Sequence, residues 1–156
     1  MKCHIFAVGQ KMPKWCLQAC EEYLTRLQRF MKCTVVEIPS AIRHKAGNVA
    51  DYKEEEGMRI LQKVQADDHF IALDVAGISW SSEKLSENLA TWQQSGKNLA
   101  FVIGGPDGLS AKCLSKANHR WSLSALTFAH PLVRVLLLEQ LYRATSILSN
   151  HPYHRA

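Results

Sequence analysis

Residues 99–108 read LAFVIGGPDG: an unbroken apolar run, then a turn made of three glycines, a proline and an aspartate. The run does not alternate apolar with polar. A strand reads this way when both of its faces are covered, which is the habit of parallel sheets with helices on either side. The turn stands where the strand ends. Paired glycines let main chain approach a ligand closely, and Pro106 fixes the bend. The pattern is neither G-x-G-x-x-G nor a phosphate loop, because no Gly-Lys-Ser/Thr follows, so dinucleotides and triphosphates are disfavoured as ligands.

Outward from this point the chain alternates. "CHIFAV" (3–8), "CTVVEI" (33–38), "HFIALDV" (69–75) and "RWSLSAL" (120–126) read as further strands. Gly77 is expected to close the third of these. Helices are expected over 13–30, with Cys20, Tyr23, Leu24, Leu27 and Phe30 on one face, over 51–65, from a cap at Ser81 or Ser82 to Gly96, briefly from Ser110, and over 131–149. Strand–helix alternation along the whole length implies an α/β fold with a parallel sheet and helices on both faces. No linker, repeat or low-complexity segment divides the 156 residues, which suits a single domain, 1–156.

Open α/β sheets bind ligands beyond the carboxyl ends of their strands. That rule selects the turn after Leu73-Asp74, the turn at Gly104-Gly105 and the segment after Ser122. They share one edge if their strands are neighbours. In "WSLSALTFAH" (121–130), small hydroxyls and main-chain groups suit a nucleoside, and Leu123, Leu126 and Phe128 suit the wall of a flat ring.

The formal net charge of +5 permits a polyanionic partner. Arg43, His44 and Lys45 sit together in a loop containing Gly and Asn. Five cysteines, an odd number without paired spacings, argue for reduced core thiols over a disulfide framework or a zinc site. No stretch approaches the roughly 20 apolar residues that cross a bilayer. A soluble cytoplasmic protein with no membrane partner and no metal is expected.

The last helix, "PLVRVLLLEQLYRA" (131–144), is apolar nearly all round. A helix covered by a sheet on one side and by a second copy on the other has this composition, so a homodimer is expected. The terminus "HPYHRA" (151–156) carries side chains able to stack on a base, grip phosphate or move protons. No nucleophile–base–acid set, zinc-hydrolase motif or carboxylate pair is spaced for catalysis.

"VIGGPDGLS" (102–110), "WSLSALTFAHPLVRVLLLEQLYRA" (121–144) and "NHPYHR" (150–155), with "AVGQKMPKW" (7–15), "EIP" (37–39) and "ALDVAGISWSSE" (72–83) in register, resemble the RlmH family over essentially the whole chain. These are SPOUT-class methyltransferases. The resemblance implies a C-terminal trefoil knot, a homodimer, and S-adenosylmethionine as co-substrate. It implies methylation at N3 of the pseudouridine numbered 1915 in the family's enzyme name, in 23S ribosomal RNA of the ribosome. Carried over to this sequence, the cofactor site is Leu73, Gly104, Gly105, Leu123, Ser124, Ala125, Leu126, Thr127 and Phe128. His130, Tyr153, His154 and Arg155 are the catalytic candidates, with the tail folded over the cofactor pocket near the dimer seam. The competing readings are a non-enzymatic RNA-binding or ribosome-assembly protein of the same fold, and a SPOUT methyltransferase of transfer RNA.

Overall fold

Strands and helices alternate through residues 1–155, which a computed structural model describes: β1 (Lys2–Val8), α1 (Lys14–Leu27), β2 (Lys32–Ile38), α2 (Val49–Lys63), β3 (His69–Ser79), α3 (Ser82–Ser95), β4 (Leu99–Ile103), α4 (Ala111–Lys116), β5 (His119–Ser122) and α5 (His130–Leu148). The strands form one five-stranded parallel sheet in the order β2-β1-β4-β3-β5. Side-chain alternation along each strand feeds two cores. Cys3, Ile5 and Ala7 of β1 and Leu99, Phe101 and Ile103 of β4 pack with α1, α3 and α5. Phe6, Val8, Ala100 and Val102 face the layer of α2 and α4. This explains why LAFVI has no polar member: all five residues are buried.

The helix boundaries follow local chemistry. Asn48 caps α2, Ser81 caps α3 and Ser110 caps α4, each accepting a hydrogen bond from the main-chain N–H three residues on. Gly96 ends α3 in the left-handed conformation at φ +70°.

Two expected boundaries are corrected. Gly77 does not close the third strand; β3 continues to Ser79, with a shift in its register against β5 between Leu73 and Ile78. A Cβ at Gly77 would lie 2.6 Å from the carbonyl carbon of Arg120, so the glycine serves close strand approach at a bulge. The strand expected over 120–126 ends at Ser122. The Ser122 hydroxyl donates to the Ser124 carbonyl at 3.0 Å, and the Ser124 hydroxyl accepts from the Leu126 N–H at 3.0 Å. These local bonds replace the ladder and leave 123–129 as a loop.

Helix α5 lies on the sheet between α1 and α3. Its flanking helices account for part of the apolar circumference that suggested a partner; Leu132 and Leu148 at its ends stay exposed. Arg134 is buried, donating to Glu37 at 2.8 Å and to the Gly9 carbonyl at 2.8 Å, which ties α5 to the ends of β1 and β2. Cys16 and Cys20 are buried free thiols, with Sγ atoms 4.0 Å apart. Among the described residues no helix is long and apolar enough to cross a membrane.

Candidate functional site

The strand order places β3 between β4 and β5, so the three segments selected from sequence leave the sheet side by side. They enclose a cleft of about 530 Å³. Leu73, Gly104, Gly105, Leu123, Ser124, Leu126, Thr127, Phe128 and His130 line it. Ala125 sits in the same loop with its side chain exposed and lies outside the lining. The cofactor residues carried over from the family omitted Asp74, Ile103, Leu109, Trp121 and Val133, although each lies inside a quoted motif. Their apolar members, with Leu123 and Phe128, make much of the lining greasy; Asp74 and Asp107 bring polar side chains to it.

The turn is built on glycine for reasons of its own packing. Gly108 N–H donates to the Gly105 carbonyl at 3.0 Å, with Gly108 at φ +84°. A Cβ at Gly104 would meet the Gly108 carbonyl carbon at 2.8 Å, and one at Gly105 would meet Glu56 Oε1 at 2.8 Å. The crowded side of each glycine therefore faces the turn itself or α2 beneath it.

Two elements hold this turn from outside. At the first residue of α5, His130 Nε2 lies 2.7 Å from the Gly104 carbonyl. A carbonyl only accepts, so Nε2 carries the proton and Nδ1 keeps its lone pair. Burial, aided by the nearby Arg134 charge, pushes the imidazole below its ordinary value and outweighs the opposing bond to Gly104, so His130 is neutral at pH 7. From the other layer, Glu56 of α2 accepts from the Ala41 N–H at 2.9 Å and from Arg43 at 2.6 Å, and Arg43 also donates to Asp107 at 2.8 Å. Arg43 lies over the Tyr52 ring, 5.0 Å from its centroid. The Tyr52 hydroxyl accepts from the His44 N–H at 2.7 Å and donates to the His44 carbonyl at 2.8 Å. The basic loop is thus fastened to α2 and to the cleft.

The tail is placed elsewhere. Within one chain, Tyr153, His154 and Arg155 are not among the residues that line the cleft with His130. The Tyr153 hydroxyl donates to Glu139 at 2.9 Å and lies 3.3 Å from the Tyr23 hydroxyl, with its ring edge-on to Tyr142. Burial, then the Tyr23 and Glu139 contacts, raise its phenol well above the ordinary range. His154 Nδ1 accepts from Arg143 at 3.2 Å, which leaves Nε2–H to donate to Glu83 at 3.0 Å. Arg155 is exposed. Glu139 stands nine positions along α5 from His130, about 14 Å at 1.5 Å per residue.

Comparison with known proteins completes the description. A family model described as "Predicted SPOUT methyltransferase" matches residues 1–154. The chain is 50% identical over 155 residues to the Ribosomal RNA large subunit methyltransferase H of Saccharophagus degradans, covering 99% of this chain and 100% of that protein. It is 50% identical over 155 residues to the protein of that name from Hahella chejuensis, covering 99% of each. Against the Acinetobacter baumannii protein of that name it is 48% identical over 159 residues, covering 100% of both. Among solved structures, Legionella pneumophila Lpg2936, in complex with the bound cofactor SAM, superposes with a TM-score of 0.50 at 10% identity. That match covers 92% of this chain and 66% of that protein, and it speaks for the fold alone.

Proposed function

The chain belongs to the SPOUT methyltransferase family, and from that premise we propose that it methylates N3 of a pseudouridine in large-subunit ribosomal RNA with S-adenosylmethionine as donor. The observation that carries the reading is the convergence of residues 73–75, 103–109 and 121–133 on one cleft. Its volume falls within the roughly 300–1,000 Å³ of small-molecule sites, and its lining is largely apolar with a few polar groups. Leu123, Leu126 and Phe128 would hold the adenine, and the 104–108 turn would hold the rest through its main chain. S-adenosylmethionine, when bound, supplies an activated methyl group on a sulfonium sulfur.

What remains for the protein is to align the target nitrogen and accept its proton. Of the two histidine candidates, His130 fits this role. It stands at the cleft, neutral, with Nε2 committed to Gly104 and Nδ1 available as acceptor. Both ring nitrogens of His154 are occupied by Arg143 and Glu83. A placed base contributes about 10²–10⁴-fold. The net charge of +5 suits an RNA substrate, and the exposed Arg155 is free to meet phosphate. A second copy docked at the exposed Leu132, two residues from His130, would border the cleft and complete a homodimer seam. The family's trefoil knot is carried over with this reading.

The test is incubation with labelled S-adenosylmethionine and ribosomes lacking the modification, followed by mass spectrometry of RNA fragments. One methyl group on a pseudouridine of large-subunit RNA is expected. Label on transfer RNA, or cofactor binding without transfer to any RNA, would overturn the substrate assignment.

A further inference from the structure

The most unusual buried group outside the cleft lining is Glu56. It is 2% exposed, and its Oε1 has no hydrogen-bond partner among the described residues. A buried carboxylate is costly unless paired and hydrogen-bonded, so its position calls for a use. Its other oxygen binds Arg43 at 2.6 Å, and the far nitrogen of that guanidinium binds Asp107 at 2.8 Å. Asp107 belongs to the cleft turn. Oε1 stands 2.8 Å from where a Gly105 side chain would begin, so Gly105 is a glycine because Glu56 lies beneath it. Gly105 has no positive φ, so space and not conformation demands glycine here.

We propose that Glu56 and Arg43 are positioning residues for the cofactor turn. A carboxylate anchored in α2 fixes a guanidinium, and the guanidinium fixes Asp107, setting the conformation of residues 104–108 before ligand arrives. The basic loop that sequence alone offers to a polyanion spends Arg43 on this strap. Arginine is needed because one planar fork spans two carboxylates; lysine is a single point charge and cannot hold both in this geometry. The inference rests on reading the cleft as an S-adenosylmethionine site, but the strap itself is testable without ligand.

Two readouts on the full-length protein separate these questions. The first is amide hydrogen exchange of Gly105, Asp107 and Gly108 in ligand-free protein, for Arg43→Ala, Arg43→Lys and Asp107→Asn. Each variant is expected to speed exchange in the turn by about five- to tenfold, the scale of a partly exposed charged hydrogen bond, while the β4 amides keep wild-type protection. The second is calorimetry with S-adenosylmethionine. The same variants should raise Kd about five- to tenfold, and the Arg43→Ala/Asp107→Asn pair should be no worse than either single change. Wild-type exchange in the turn of all three variants would overturn the strap. So would faster exchange spread evenly over the sheet, which marks global destabilisation. Wild-type protein that fails to bind S-adenosylmethionine would overturn the reading of the cleft and leave the exchange result standing.

Discussion

The two ends of α5 carry similar side chains in opposite states. At its first residue, His130 makes one hydrogen bond, to the Gly104 carbonyl, and keeps one nitrogen free beside an open cleft. At its other end two side chains of the returning tail are engaged, Tyr153 with Glu139 and Tyr23 and His154 with Arg143 and Glu83. Residue type made both ends look reactive. Unspent bonding capacity next to open space distinguishes them, and it favours the cleft end.

The largest expected effect tests the cleft end through its turn. Gly104→Val puts two methyl groups on a Cβ that already meets the Gly108 carbonyl carbon at 2.8 Å. Calorimetry should find S-adenosylmethionine binding lost, with the far-ultraviolet dichroism of the fold retained. Wild-type affinity would separate the turn from the ligand.

Next in size is the contrast between the two histidines. His130→Ala should lower kcat about 10²–10⁴-fold with S-adenosylmethionine affinity little changed, whereas His154→Ala should stay within about threefold of wild type in kcat. Equal losses would erase the difference between the ends. A large loss from His154→Ala alone would reverse it.

The pH profile sharpens the same point. The proposed base role of His130 requires a neutral ring, and burial holds its pKa below the ordinary value of 6.5. Activity should therefore be full at pH 7 and fall only below pH 6.5, as the ring protonates. An acid limb centred above 6.5 would point to another base. Stability has its own acid dependence, which His130 shares with two histidines of β3 and β5. His69 and His119 are also held below 6.5, chiefly by desolvation, with their rings 5.0 Å apart beside Trp92. The unfolded chain takes up these protons first, so stability is full above pH 6.5 and declines as the pH falls below it. Denaturant midpoints measured from pH 7.5 to 5 check this, and a flat profile would contradict it.

The smallest effect is at the tail. Tyr153→Phe removes one hydroxyl from a bond to Glu139 and should cost about 0.5–1.5 kcal/mol of stability, with S-adenosylmethionine affinity unchanged. A shift in that affinity would mean that the tail reaches a cleft after all.

Much of this was legible in the sequence, for identifiable reasons. LAFVI announced a covered parallel strand because burial on both faces leaves no room for a polar residue. The ligand edge was legible because chain breaks at strand ends carry glycines and hydroxyls. That those ends adjoin depends on β3 inserting between β4 and β5, which no local pattern encodes. Gly77 misled because the same residue closes strands and permits bulges; only the Arg120 main chain beneath it decides between them. The Glu56–Arg43–Asp107 strap was invisible because its members lie 13 and 64 residues apart and meet across a layer. The tail's composition was plain, but its position depends on Glu139, 14 residues before Tyr153, and on Tyr23 and Glu83, 130 and 71 residues from the tail side chains they meet.

The central claim is that residues 73–75, 103–109 and 121–133 form one S-adenosylmethionine pocket. An NMR titration of the isotope-labelled protein with S-adenosylmethionine tests it most directly. The account predicts saturable amide shifts that are largest at Gly104, Gly105, Asp107, Gly108 and residues 123–128, with Leu73 and Asp74 moving in step. No saturable shift at millimolar ligand, or shifts largest outside these three segments, would contradict it.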